Sequence, residues 1–555
     1  MPASADSTTR RRRSIAGAAA AVCLLAACGV DAGVSTMSAE PTGQSGDPTG
    51  VGPDDDAAIG SEPALPTTDA PVDDGTTDAV PEPPPSTTTT PVEPTLPSIV
   101  VPELNAQIPI ADVVDVDDGK PARDYDDFVA VALTDIERWW NEVFPQVYGV
   151  QFDPLEGGVY AGYPERTSAL PGCGERTTDY QDLQQFVAFY CQLGDFMVYD
   201  DMSTDVLLPL AEEFGPAVMG IVLAHEYGHA IQARVGALDR FLATILTEQQ
   251  ADCFAGAWTG QAYGGDSDLL RLGDADVRAG LIAMLSVRDP VGTNQFQPGG
   301  HGSAFDRVGA FQVGFLEGPA RCAELLDEPL TLMPNAFQLL SDLERGGNAS
   351  YDCSDDPDPD CRPAPEFLAE DLDHFWSVAL GGGFEPVTPV AVDDPARLVC
   401  ADGVPLADEV VVCPVDRTVL FDEPEIRVLY DEFGDFTIGY FYGIAWAELV
   451  QLEVGSDLDG EPRALLSDCY TGAWVRDITP DSNNRTPRNA DLDGDGEPDS
   501  TVRSSPGDLD EAIRMAILEG DDGANENVVG TAFEKIAAFR VGVLGGLTAC
   551  DAEFG

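Results

Sequence analysis

The chain has 555 residues, 43% of them hydrophobic, and sets 29 Lys and Arg against 98 Asp and Glu for a formal net charge of -69. That length accommodates two or three domains, each with a core of its own. So acidic a surface repels nucleic-acid phosphates and anionic lipid head groups, which argues against nucleic acid as a partner and against binding to a bare membrane surface.

At the N-terminus, Arg10 to Arg13 form a basic segment, followed by Ser14 to Ala27, an apolar stretch too short for a permanent membrane span. It closes on Leu25-Ala26-Ala27-Cys28-Gly29, which resembles the bacterial lipobox, where small residues fit the signal peptidase and the Cys becomes lipidated. The expectation is a lipoprotein signal peptide over residues 1–28. The protein would be exported and anchored through Cys28 to the outer face of the cell membrane, its only contact with a membrane. Residues 29–105 are rich in Pro, Thr and Asp and nearly free of aromatics, so they cannot bury enough apolar surface to offset the entropy of ordering. They read as a disordered stalk, able to reach on the order of 200 Å at about 3 Å per residue.

Beyond the stalk, Phe186 to Cys191 and Phe196 to Tyr199 are short apolar, aromatic runs and read as strands of a small sheet. Pro216 to Val235 reads as a helix, with Pro in the first turn and Gly236 just past the end. Leu246 to Thr259 and Ser303 to Leu316 read as further helices. The expected fold is α+β and mostly helical.

The first of these helices carries His225-Glu226-Tyr227-Gly228-His229, an HExxH pattern that uses two of the four His in the chain. Residues four apart share a helix face, so both imidazoles can bind one Zn²⁺ while the intervening Glu226 takes a proton from an attacking water. A third ligand is needed. Glu248, nineteen residues after His229, lies with Asp252 on one face of the next helix. This pair resembles the gluzincin arrangement, in which the Glu ligates zinc and the Asp orients a ligand imidazole from behind.

Taken together, His225 to Gln232, Glu248 to Gly256, and His301-Gly302-Ser303 through Arg307 look like the neutral zinc metallopeptidase family of bacteria. Trp139-Trp140 and Phe189-Tyr190-Cys191 fit it too, and the resemblance covers roughly residues 125–325. It implies a zincin-type peptidase domain, set at residues 120–330, acting on peptide or protein substrates. Two other readings compete: a non-hydrolytic module that binds peptides or cell wall, and a zinc hydrolase of a non-peptide amide.

An internal repeat organises the rest. Phe214 to Gly236 aligns without a gap on Phe433 to Gly455, Asp252 to Trp258 on Asp468 to Trp474, and Gly302 to Cys322 on Gly530 to Cys550; Thr134 to Trp140 matches Glu370 to Trp376. The second copy, residues 365–555, has Ile444, Ala445, Glu448 and Ala464 where the first has His225, Glu226, His229 and Glu248. It cannot hold the same zinc and reads as a pseudo-peptidase domain. Asp252 survives there as Asp468, so it can brace a helix as well as tune a metal. His301 is replaced by Val529 amid a retained framework, which points to a role for His301 shared with the metal centre, facing the oxyanion that forms in peptide hydrolysis.

Twelve Cys are present, ten of them after Cys28. An even set outside the cytoplasm reads as disulfides, and a pattern that must hold twice pairs Cys173–Cys191 and Cys253–Cys322, with Cys400–Cys413 and Cys469–Cys550 as counterparts. Cys353 and Cys361 would pair locally in an acidic connector, residues 331–364. Finally Asp491, Asp493, Asp495, Gly496 and Asp499 form a DxDxDGxxD loop suited to Ca²⁺.

Overall fold

A computed structural model describes residues 102–174, 180, 187–201, 207–337, 343, 345–354, 356, 359, 361–394, 397–400, 410–479, 502–520 and 530–555. The signal peptide with Cys28, nearly all of the stalk, Val529 and the loop of Asp491, Asp493, Asp495 and Asp499 lie outside these residues. No described helix is long and apolar enough to cross a membrane.

The fold is α+β and mostly helical. The chain enters it earlier than residue 120. Strand β1 (Glu103–Leu104) pairs antiparallel with β6 (Leu270–Arg271), and β2 (Val114–Asp115) joins the first sheet. These strands are only two residues long, too short to leave a periodic signal in the sequence.

Helix α1 (Asp126–Tyr148) carries Trp139 and Trp140 and ends at Gly149, whose φ of 73° supplies the left-handed cap. The first sheet follows: β3 (Gly158–Gly162) runs parallel to β5 (Phe196–Asp200), and β4 (Ala188–Cys191) pairs antiparallel with β5. Both predicted strands are present, and every residue of β4 and β5 is buried.

Four main helices build the rest of the first half after the short α2 (Leu207–Phe214): α3 (Ala217–Arg234), α4 (Thr244–Gly264), α5 (Asp274–Ser286) and α6 (Ala304–Glu317). All three predicted helices appear, α4 longer at both ends than expected. Helix α3 is buried on every side from Ala217 to Gln232, as a helix with apolar residues all round must be. Helix α6 begins with a capping box, Ser303 and Asp306 satisfying each other's backbone N–H. The short α7 (Pro319–Glu324) then presents Cys322 to Cys253 of α4.

The second half repeats this order with α8 (Ala364–Ala379), β7 (Thr388–Val392), β8 (Val410–Cys413), β9 (Thr418–Asp422), α9 (Glu423–Phe433), α10 (Phe436–Glu453), α11 (Gly460–Ile478), α12 (Asp508–Glu519), α13 (Ala532–Gly545) and α14 (Leu547–Glu553). Its sheet has the same strand sense: β7 parallel to β9, and β8 antiparallel to β9. Matching residues make matching contacts. Trp258 Nε1 donates to Asp135 at 2.9 Å and Trp474 Nε1 to Asp371 at 2.8 Å. Gly256 lets α4 press on the Phe311 carbonyl of α6, and Gly472 does the same for α11 at Phe539 of α13. A Cβ at either glycine would collide with backbone, which is why both helix pairs can cross so closely.

All five expected disulfides are formed: Cys173–Cys191, Cys253–Cys322, Cys353–Cys361, Cys400–Cys413 and Cys469–Cys550. One continuous apolar core runs through both halves, from Val114 to Cys550.

Candidate metal centre

Helix α3 places His225, Glu226 and His229 inside the first half, none more than 1% exposed. Helix α4 crosses it and brings Glu248 against them. Glu248 Oε2 lies 3.3 Å from His225 Nε2, and Oε1 lies 3.5 Å from His229 Nε2. The close crossing depends on Gly228, where a Cβ would stand 2.9 Å from Cα of Ala251 on α4. Backbone cannot yield as a side-chain tip can. Gly228→Ala is therefore expected to push α4 away and to weaken zinc binding about tenfold or more; a competition titration against a chelator checks this.

Two neighbours fix the rings. Asp252 Oδ1 is 2.7 Å from His225 Nδ1. Gln232 Nε2 donates to Thr247 O at 2.6 Å, so its Oε1 accepts, and His229 Nδ1 at 2.9 Å is the donor. With N–H on each Nδ1, each Nε2 presents a lone pair toward the same point. In the sequence Gln232 stands at the end of the His225 to Gln232 stretch and matches Gln451 of the second half, with nothing to mark its contact with His229. Its counterpart Gln451 donates likewise to Arg463 O, so the amide also ties the two helices together.

Asp252 is itself held by Arg307 of α6, whose Nε and Nη2 donate to the two carboxylate oxygens at 2.9 and 2.7 Å, while Nη1 donates to Val287 O. Both charges are buried. In the second half Lys535 stands where Arg307 does and donates to Asp468 at 2.8 Å, and the Tyr440 hydroxyl takes the place of the imidazole N–H at 2.6 Å. The carboxylate thus braces α4 to α6 and α11 to α13 alike; in the first half it also aims His225.

His301 lies just before α6, 4% exposed. Asp289 holds it on three sides: Oδ2 accepts the backbone N–H of His301 at 2.8 Å and of Gly302 at 2.9 Å, and Oδ1 lies 3.2 Å from His301 Nδ1. Asp289 escaped the sequence reading because no spacing rule links a carboxylate to a His twelve residues further on.

The electrostatics converge on a cation. Burial pushes the Glu248 carboxyl up, but His229, His301 and His225 outweigh it and hold the group well below the usual carboxylate range. Burial likewise opposes the charge on Asp252, and Arg307 and His225 keep it low. Burial pulls His225 down, yet Asp252 and Glu248 raise it to about 10. A positive charge is favoured at this point, carried by a proton or by a metal that displaces it.

His225 Nε2, His229 Nε2 and both oxygens of Glu248 and of Glu226 are buried without hydrogen-bond partners. Leaving one such group unpaired costs about 1–3 kcal/mol, more when it is charged. Two imidazole nitrogens and a carboxylate are the donor set of a zinc site with one position open, so the residues present fit that metal. One further cluster of ligating residue types occurs among the described residues, Asp435, Asp508 and Glu511. Its carboxylates accept from Ala349 N–H, Ser505 and Phe436 N–H respectively.

Two crossed helices of an α+β domain thus bring two imidazoles and one carboxylate together in a buried cluster. Residues 107–324 match the model of a family described as "Putative neutral zinc metallopeptidase". Uncharacterized proteins of Mycobacterium tuberculosis and Mycobacterium bovis are each 31% identical over 171 residues, 26% of this chain and 55% of theirs. The uncharacterized protein YpfJ of Escherichia coli is 27% identical over 221 residues, 35% of this chain and 69% of its own. The chain thus spans about half the length of the mycobacterial relatives. No solved structure matches it.

Proposed function

We propose that the first half is a zinc-dependent peptidase, with His225, His229 and Glu248 as ligands and Glu226 as the base that deprotonates the attacking water. One observation carries this reading: the ligand atoms of His225, His229 and Glu248 are buried, unpartnered and within 4.8 Å of one another. Zinc held there would polarise a substrate carbonyl and favour ionisation of water. Asp252 and Gln232 hold the imidazoles in the ligating tautomer, Glu226 takes and passes on a proton, and His301, pinned by Asp289, donates to the oxygen that gains negative charge. The natural substrate class is peptide or protein. The test is zinc content together with hydrolysis of a peptide library by the full chain. About one zinc per chain is expected; a metal-free, inactive protein would sink the proposal.

The second half we read as a degenerate copy. Ile444, Ala445 and Ala464 bring no ligand, and Glu448 is the lone carboxylate among the four replaced positions. The chain as a whole we place outside the cell, anchored through Cys28. Labelling with a radioactive fatty acid should mark the wild type and not Cys28→Ser; equal labelling would refute the anchor.

A further inference from the structure

The two halves meet through equivalent helices, α5 and α6 of the first against α12 and α13 of the second. Their contacts are reciprocal. Gln312 Nε2 donates to Phe533 O at 2.9 Å. Arg540, which stands in the second half where Gln312 stands in the first, donates to O of Phe305, the counterpart of Phe533, at 2.6 Å. Residue i touching j while j touches i is the pattern of a two-fold interface between copies. The contact is closely packed: the Arg540 guanidinium lies 4.4 Å from the Phe305 ring and occupies the space beside Gly309 where a Cβ would stand.

One link in this interface leads to the metal centre. Asp510 of α12 is 3% exposed. Its Oδ1 accepts the N–H of Ala304, the first residue of α6, at 2.9 Å, and its Oδ2 accepts from Arg288 Nε at 2.7 Å. Ala304 lies three residues from His301 on one side and three from Arg307 on the other. Arg288 adjoins Asp289, the residue that pins His301. A single carboxylate from the second half therefore clamps both ends of the segment bearing Asp289 and His301, and it does so at a helix N-terminus, where negative charge is favoured.

We propose that the second half is a fixed intramolecular mate of the peptidase half, and that Asp510 is the positioning residue through which it holds His301 and Arg307 in place. This rests on the peptidase reading above. It gives the copy that lost its ligands a reason to have kept its framework: α12 and α13 complete the support of α6 that a second subunit would otherwise supply.

The test compares Asp510→Ala and Asp510→Asn with Asp371→Ala, which removes the acceptor of Trp474 within the second half's own core. All are made in the full chain. Both Asp510 variants should keep zinc and KM within about threefold and lower kcat by about tenfold or more, as misplacement without loss of a reacting group does. In Asp510→Ala, which removes the acceptor of Ala304 N–H, backbone amide exchange over residues 300–304 should accelerate by about tenfold or more, because the local opening becomes easier. Asp371→Ala should lower the thermal midpoint and leave kcat and that exchange unchanged. Asp510→Asn keeps an acceptor for Ala304, so it reports even if Asp510→Ala does not fold. Wild-type kcat in the Asp510 variants, wild-type exchange in Asp510→Ala, or the same losses in Asp371→Ala, would overturn the proposal. If the wild type hydrolyses no peptide, the peptidase reading fails, and the exchange arm alone decides whether Asp510 holds this segment.

Discussion

Glu226→Gln is expected to keep about one zinc per chain and to lose kcat by about 10³-fold, within the range of removing a general base. Glu226 sits between the two ligand imidazoles in sequence and is fully buried, with neither oxygen satisfied by the protein. It is not part of the cluster formed by His225, His229 and Glu248. Its side chain therefore remains available to the attacking water. Gln preserves size and shape but bears no charge and cannot accept the proton. KM should move little, since substrate contacts are untouched. His229→Ala, by contrast, should lose the metal itself. Elemental analysis with a peptide-cleavage assay separates the two cases. Zinc loss in Glu226→Gln would make Glu226 a ligand, and undiminished turnover would remove it from the chemistry.

What could be read in the sequence follows from the range of each interaction. HExxH was legible because four residues on a helix return to one face. Glu248 and Asp252 were legible for the same reason, and the helix crossing that unites the two motifs was implied by their chemistry. Four of the disulfides were legible through the internal sequence repeat, in which each pairing has a counterpart, and Cys353–Cys361 through closeness in sequence. Less accessible were contacts fixed only by tertiary packing. Gln232 stood only within the matched stretches and had no role assigned; it ties α3 to Thr247 O and fixes the tautomer of His229. Arg307 appeared only as the end of a motif, although its bidentate pairing keeps Asp252 ionised in a buried setting. Asp289 and Asp510 gave no sequence signal, because each reaches its partners across a loop or between halves. The strands at Glu103–Leu104 and Val114–Asp115 were missed because two residues carry no alternation.

His301→Ala is expected to bind zinc normally and to lower kcat by about 10²–10³-fold, the scale of losing one donor to a developing oxyanion. The sequence argument was that the second half lost His301 together with His225, Glu226, His229 and Glu248 while sparing the residues around it. The structure adds a geometric one. His301 is buried, its Nδ1 lies 3.2 Å from Asp289 Oδ1, and it is among the groups that hold the Glu248 carboxyl low. Ligation by His301 would close the position that hydrolysis requires, so it should not cost metal. Asp289→Asn supplies the finer test. It keeps a carbonyl for the N–H groups of His301 and Gly302 but removes the charge beside Nδ1, and it should reproduce part of the kcat loss at unchanged zinc content. Normal turnover in His301→Ala with one zinc bound would leave His301 as a buried loop residue, and zinc loss in the same variant would make it a fourth ligand.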